Sequence, residues 1–233
     1  MKLWKKIILI LLVIVLCIGG FFIYDGYQMY RSAIGSSNLK YKVEKVQADK
    51  NYITLDELPK EYKDAVVAAE DHRFYQHGAI DIIAIARAIY TNIKEMDLVE
   101  GGSTITQQVA KNLYFTQKKQ LTRKIAEIFM AMELEKNYSK DQILELYVNT
   151  SYFGDGYYGI KEACEGYLNK SPSEMNLDDA SLMAGIPNAP SVYAPTKNPD
   201  LARKRQQYVL RKMVEYKFIE QEKVTPILAE YAT

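Results

Sequence analysis

"TRKIAEIFMAMELEK", residues 122–136, places apolar side chains at three- and four-residue steps and reads as one long amphipathic helix. Arg123 and Glu127 stand four apart, on the face that also carries Met130 and Leu134. That face turns apolar, so both charges lie at the edge of something buried. One reading is an intrahelical ion pair, worth about 0.3–0.5 kcal/mol. Arg before Glu is the poorer order for such a pair. The other reading is a carboxylate that faces a second acid across a cleft.

Working outward, the neighbouring segments share the helical period. "STITQQVAKNLY" follows "EGG", where Ser103 can cap a helix. Ser139 with Gln142 forms a capping-box pattern ahead of "ILELYVN". "GIKEACEGYL" is a short helix, "SPSE" is a further cap signal, and "LDDASLMAGIP" stops at Gly185 and Pro187. Asn198 and Pro199 start "NPDLARKRQQYVLRKMVEY", and "VTPILAEY" follows it. Pro59 suits a first helical position, with a helix expected to about Asp71. "AIDIIAIARAIYTNI" carries Ile82, Ile85, Ile89 and Ile93 at helical steps and is expected as a core helix, with a membrane-facing helix as the alternative. "YKVEKV" and "NYITL" have short β-like character. The class predicted is mainly α, as one two-lobed domain.

The N-terminus sets the compartment. "MKLWKK" precedes "IILILLVIVLCIGGFFIY", Ile7–Tyr24, which holds no charge. About 20 apolar residues span a bilayer as a helix. A cleaved signal peptide has a shorter apolar region and a small-residue cleavage site, and this run ends in "FFIYDGY". The expected division is therefore a cytoplasmic stub over 1–6, a transmembrane anchor over 7–24, a polar stalk over 25–50 and a catalytic domain over 51–233. Lys2, Lys5 and Lys6 are expected on the cytoplasmic side, with Tyr24, Tyr27 and Tyr30 near the outer interface. Cys17 and Cys164 are too differently placed to pair, so no disulfide framework is expected. A net charge of +1 makes no electrostatic case for nucleic acid as a partner.

Two stretches can carry chemistry. "EDHRFYQHG", Glu70–Gly78, holds both histidines of the chain. His72 and His77 are five apart, whereas two zinc ligands on one helix face are four apart. Glu70 follows the apolar "AVVAA". It is either a solvated helix end or a carboxylate in apolar surroundings, which gains the basicity of a proton acceptor. In "EGGSTITQQVAKN", Glu100–Asn112, the residues Thr104, Gln108 and Lys111 form one polar stripe near a helix N-terminus, which suits an anion or a sugar. "SNLK", Ser37–Lys40, matches S-x-x-K but lacks its companion motifs downstream and is read as chance. The basic run "RKRQQYVLRK" reads as a solvated helix face, near anionic headgroups if it meets a membrane.

Taken together, "EDHRFYQHGAID", "GGSTITQQVAKN", "RKIAEIFMAMELEK", "KDQILELYVNTSYFGDGYYGI" and "AGIPNAPSVYAP" resemble, in order, the motifs of glycosyltransferase family 51. These are the peptidoglycan glycosyltransferases, and the likeness is to the monofunctional members, over roughly residues 50 to 215. The resemblance implies a lysozyme-like, mainly helical fold with a membrane-associated second lobe. It implies lipid II and the growing glycan strand as substrates, membrane lipids and cell-wall synthesis proteins as partners, and a bacterial cell membrane location with the catalytic domain outside. It makes Glu70 the general base and Glu127 the second catalytic carboxylate. Asp71, Phe74, His77, Ser103, Thr104, Gln107, Gln108, Lys111, Asn112, Arg123 and Lys124 become the substrate-binding set. Glu145, Tyr147, Asn149, Gly154, Gly159, Pro187 and Pro190 shape the cleft. Glu127 either orients the cations or holds a divalent cation, Mg or Mn; no other cofactor is implied. The competing functions are a glycan-cleaving lysozyme-like hydrolase or lytic transglycosylase, which has little need of Lys111 and Arg123, and a non-catalytic glycan-binding scaffold.

Overall fold

The structure, a computed structural model, describes residues 3–96, 101–115 and 121–230. Lys2 and Glu100, which entered the readings above, lie outside the described residues, as do 231–233 of the expected domain. Twelve α-helices are found among the described residues: α1 Leu3–Ser36, α2 Leu39–Gln47, α3 Lys60–Glu70, α4 Ile82–Glu95, α5 Ile105–Tyr114, α6 Leu121–Asn137, α7 Lys140–Thr150, α8 Ile160–Leu168, α9 Leu177–Gly185, α10 Pro190–Tyr193, α11 Pro199–Glu215 and α12 Gln221–Glu230. Extended pairing there is confined to a single bridge, Tyr152 to Tyr158. The class is mainly α, as expected.

Local chemistry accounts for most boundaries. Asn38, Asp81, Thr104, Ser139 and Asn176 each accept a backbone N–H at the start of a helix. Ser139 and Gln142 bond reciprocally, as the capping-box pattern requires. The cap of α5 is Thr104, one residue later than the expected Ser103.

Helices α3, α9 and α11 pack as one group, and α5, α6 and α7 as another. Both contribute to a continuous core that includes Tyr62, Ile105, Met130, Leu144, Met183 and Val209. The groove described below lies where the two groups meet, at the C-terminal end of α3.

Three expectations are corrected. The stalk over 25–50 is helical and packed. Helix α1 continues unbroken to Ser36, about 50 Å at 1.5 Å per residue. Among the described residues it is the one helix long and apolar enough to cross a membrane. Beyond Tyr24 it lies along α6. Gly26 is buried, and a Cβ there would sit 2.5 Å from Ile125 Cγ2. Thr122 Oγ1 donates to Asp25 Oδ2 at 2.8 Å, and Tyr27 and Tyr30 pack on Phe129. Contact with α6 thus overrides the weak helical preference of "SAIGSS".

The β-like "YKVEKV" is helix α2. Leu39 and Val43 enter the core with Val46 packed against it, a four-then-three step that alternation hid. "NYITL" is extended, but its neighbour is a side chain. Asn149 accepts from Ile53 N at 2.9 Å and donates to Ile53 O at 2.8 Å, in place of a strand.

Finally, α4 is no core helix. Ala88 is its one buried residue, while Ile82 is 77% and Ile93 73% exposed. Its apolar face points outward, and Arg87 lines the groove on the inner side.

Candidate active site

Glu70 is the last residue of α3, and its side chain is only 7% exposed. Gln108, one turn into α5, donates Nε2–H to Glu70 Oε2 at 2.7 Å. Glu70 Oε1 is buried and accepts no hydrogen bond from the protein. The carboxylate is therefore held by one oxygen and presented by the other.

Asp71 joins the two helix groups. Its Oδ2 accepts the backbone N–H of Ile105 at 3.1 Å, at the positive end of α5, and its Oδ1 meets His77 Nε2 at 2.7 Å. Burial pushes the Asp71 carboxyl up, and the His77 contact opposes this. Thr104 Oγ1 and Gln107 Nε2 both donate to Ala79 O, at 3.0 and 3.1 Å, and pin the loop after Glu70 to the start of α5.

Opposite Glu70, α6 supplies a cationic cluster. Arg123 Nε lies 2.8 Å from Glu127 Oε1. Lys124 Nζ donates to Glu127 Oε2 at 3.1 Å and to Ser103 Oγ at 2.7 Å. Lys111 completes it from α5. Burial pulls the Lys111 and Lys124 ammoniums below their usual range, and Glu127 pulls them back up. Three cations thus surround one buried carboxylate, an excess of positive charge facing the groove. Both Glu127 oxygens are engaged by cations, so this carboxylate does not offer the oxygen-rich set that a Mg or Mn ion takes. Asp71, His77 and Asp81 are grouped closely enough for a metal. They are already satisfied by one another, by Arg73 and by the Ile105 and Ala84 amides.

The groove encloses about 620 Å³ and takes in Glu70, Asp71, Ser103, Thr104, Gln107, Gln108, Lys111, Arg123, Lys124 and Glu127. Three expected binding residues lie elsewhere. Phe74 is fully buried, with Lys140 Nζ 4.4 Å from its ring centroid. His77 supports Asp71 from behind. Asn112 faces a separate cavity of about 320 Å³ beside α2, its Nδ2 3.5 Å from Thr150 Oγ1. One turn of helix separates Gln108 from Asn112, yet Asn112 falls outside the groove lining.

A second wall was missed by sequence reasoning. Arg205, Tyr208 and Lys212 of α11 line the groove together with Tyr216. The basic run was expected as a solvated face. Instead Arg205 is 12% exposed, with its Nη2 3.6 Å from Glu70 Oε1. The signal was present in the spacing, since 205, 208, 212 and 216 recur at helical steps and form one stripe. His72 stacks on Tyr216 at 3.7 Å, with Arg87 Nη1 3.5 Å from its Nε2. Burial and then the Arg87 charge hold the His72 imidazole below its usual range.

A family model described as Transglycosylase matches residues 37–214. The chain belongs to the transglycosylase family. This is the family to which the five motifs point. Penicillin-binding protein 1A of Neisseria flavescens is 45% identical over 166 residues, 71% of this transglycosylase chain and 21% of that protein. Penicillin-binding protein 1F of Bacillus subtilis is 42% identical over 167 residues, 72% and 23% of the respective chains. A crystal structure of penicillin-binding protein 1A from Haemophilus influenzae aligns with a TM-score of 0.45 and 22% identity, over 78% of this chain and 18% of that one. The chain spans about a fifth of the length of the curated relatives it matches.

Proposed function

We propose that this transglycosylase polymerises lipid II into β-1,4-linked glycan strands with inversion, releasing polyprenyl pyrophosphate. One observation carries the reading: a buried carboxylate with a free oxygen and a cluster of three cations share one groove. The donor is the growing strand on its lipid pyrophosphate, and the acceptor is the 4-hydroxyl of the next lipid II. That hydroxyl is a poor nucleophile. Glu70 Oε1 takes its proton as the oxygen attacks the anomeric carbon. The bond from that carbon to the pyrophosphate oxygen breaks, and the leaving group departs with the electron pair. Lys111, Arg123 and Lys124 stabilise the negative charge as it develops. Glu127 orients those cations. Attack opposite an α-linked pyrophosphate gives the β bond.

Two apolar surfaces support a membrane setting for this chemistry. The exposed length of α1 suits a single span, with residues 1–6 cytoplasmic and the domain outside. The outward isoleucines of α4 stand on a helix whose inner side lines the groove, so the groove opens where lipid-linked substrates lie. Anchoring enzyme and substrate in one bilayer raises their effective concentration.

The test is labelled lipid II given to the detergent-solubilised protein, with glycan strands read by length. Long strands are expected from the native chain. Glu70→Gln should lower turnover by about 10²–10⁴-fold with an unchanged melting profile. Near-normal strand synthesis in that variant removes Glu70 as the base.

A further inference from the structure

We propose that Arg205 is the positioning residue of the proton acceptor: it charges and aims Glu70 Oε1 while leaving that oxygen's lone pairs free. The proposal rests on reading Glu70 as the general base. Gln108 fixes the other carboxylate oxygen, so Oε1 is the one that meets an incoming hydroxyl. At 3.6 Å the guanidinium is inside ion-pair range and outside hydrogen-bond range. A bidentate arginine at 2.8 Å would occupy the lone pairs a proton needs. Here the charge acts without occupying them. Burial alone disfavours an ionised carboxylate, and an opposite charge at this distance favours it.

Arg205 is built into place. Its Nε–H donates to Gly185 O at 3.4 Å, and its guanidinium lies 4.5 Å from the Tyr208 ring centroid and 5.8 Å from that of Tyr193. Gly185 is required by this arrangement, because a Cβ there would come 2.9 Å from Arg205 Cγ. The other groups acting on Glu70 are Lys111 from α5, Tyr62 from its own helix and Tyr147 from α7. Lys111 interacts more strongly with Glu127 than with Glu70, and both tyrosine hydroxyls are buried and neutral. Among the described residues, Arg205 is the cation within ion-pair distance of Glu70.

The experiment is the pH dependence of kcat and KM for lipid II in Arg205→Met, Arg205→Lys and Gly185→Ala, with circular dichroism and melting as fold controls. Arg205→Met is expected to move the acid limb of kcat up by about one to two pH units, a loss of at least about tenfold at pH 6 that recovers in part at pH 8.5. KM should stay within about threefold, and Arg205→Lys should restore most of the profile. Gly185→Ala, which displaces the guanidinium without removing it, should give a smaller shift of the same sign. It carries the test if Arg205→Met does not fold. A native pH profile in the folded variants, or a loss that enters through KM alone, overturns the proposal. If the native chain makes no glycan from lipid II, the functional reading fails separately. The proposal is then read by difference infrared spectroscopy against Glu70→Gln. Loss of the Glu70 carboxylate band at pH 6 in Arg205→Met supports it, and an unchanged band sinks it.

Discussion

Helices α4 and α6 look alike as sequences and face opposite ways. Both flank the groove, and both carry apolar residues at helical steps with a few charges between them. In α6 the face with Ala126, Met130 and Leu134 is buried against the other helices, and the charges Arg123 and Glu127 are drawn to the groove edge of that face. In α4 the isoleucines at 82, 83, 89 and 93 point away from the protein, and Arg87 points in. An amphipathic period identifies the apolar face but leaves its covering open. For α6 the covering is protein; for α4 we propose lipid.

The largest expected effect lies on the covered helix. Glu127→Ala leaves Arg123, Lys124 and Lys111 facing one another without their shared carboxylate. Breaking a buried pair by removing one partner costs about 3–5 kcal/mol, and the half-exposed Lys124 places this case near the lower end. A fall of about 3 kcal/mol in unfolding free energy is expected, together with loss of glycan synthesis. Phosphate or pyrophosphate should restore part of the melting temperature by binding the uncompensated cations. A variant as stable as the native chain would mean that α6 is no more committed to its neighbours than α4.

A smaller effect is expected where α1 meets α6. Gly26→Val puts methyl groups where even a Cβ would be 2.5 Å from Ile125 and 3.0 Å from Thr122 O. Overpacking of this kind typically costs about 1–3 kcal/mol. Because Arg123 and Lys124 flank the contact residues Thr122 and Ile125, turnover should fall several-fold as the cations shift. Gly19→Val is the control, since nothing lies within 4 Å of a Cβ there. Equal effects of the two substitutions, in melting and in turnover, would show that the α1–α6 contact does not position the site.

What could be read from the chain divides along the same line. Helix starts governed by a neighbouring side chain were legible: Ser139 with Gln142, Pro199 after Asn198. So were the groove residues that cluster locally, Glu70 with Asp71, Gln108 with Lys111, and Arg123 with Glu127. What was not legible depends on distant partners. The direction of Arg205 is set by Gly185, Tyr193 and Tyr208 and by a carboxylate 135 positions earlier in the chain. The helix at 25–36 exists because α6 lies beside it. Asn112 belongs to a motif that reaches the groove, but its own side chain faces the cavity beside α2, an outcome that a motif match cannot show.

The smallest effect on the fold, and the sharpest test of the comparison, belongs to α4. Exposed substitutions usually change stability by about 0.5 kcal/mol or less. Ile83→Ser, Ile89→Ser and Ile93→Ser should therefore leave the melting profile in detergent almost unchanged, whereas Met130→Ser in α6 should lower it clearly. In a bilayer the ranking reverses, because fully burying one such side chain is worth about 1.5–3 kcal/mol. The direct reading is Ile89→Trp in a Trp4→Phe background, reconstituted in vesicles with brominated acyl chains. Quenching of that tryptophan is expected if the outer face of α4 lies in the hydrocarbon. A tryptophan that stays bright, with emission typical of water, would place the face in solvent. The inside-out character of α4 would then need a covering other than lipid.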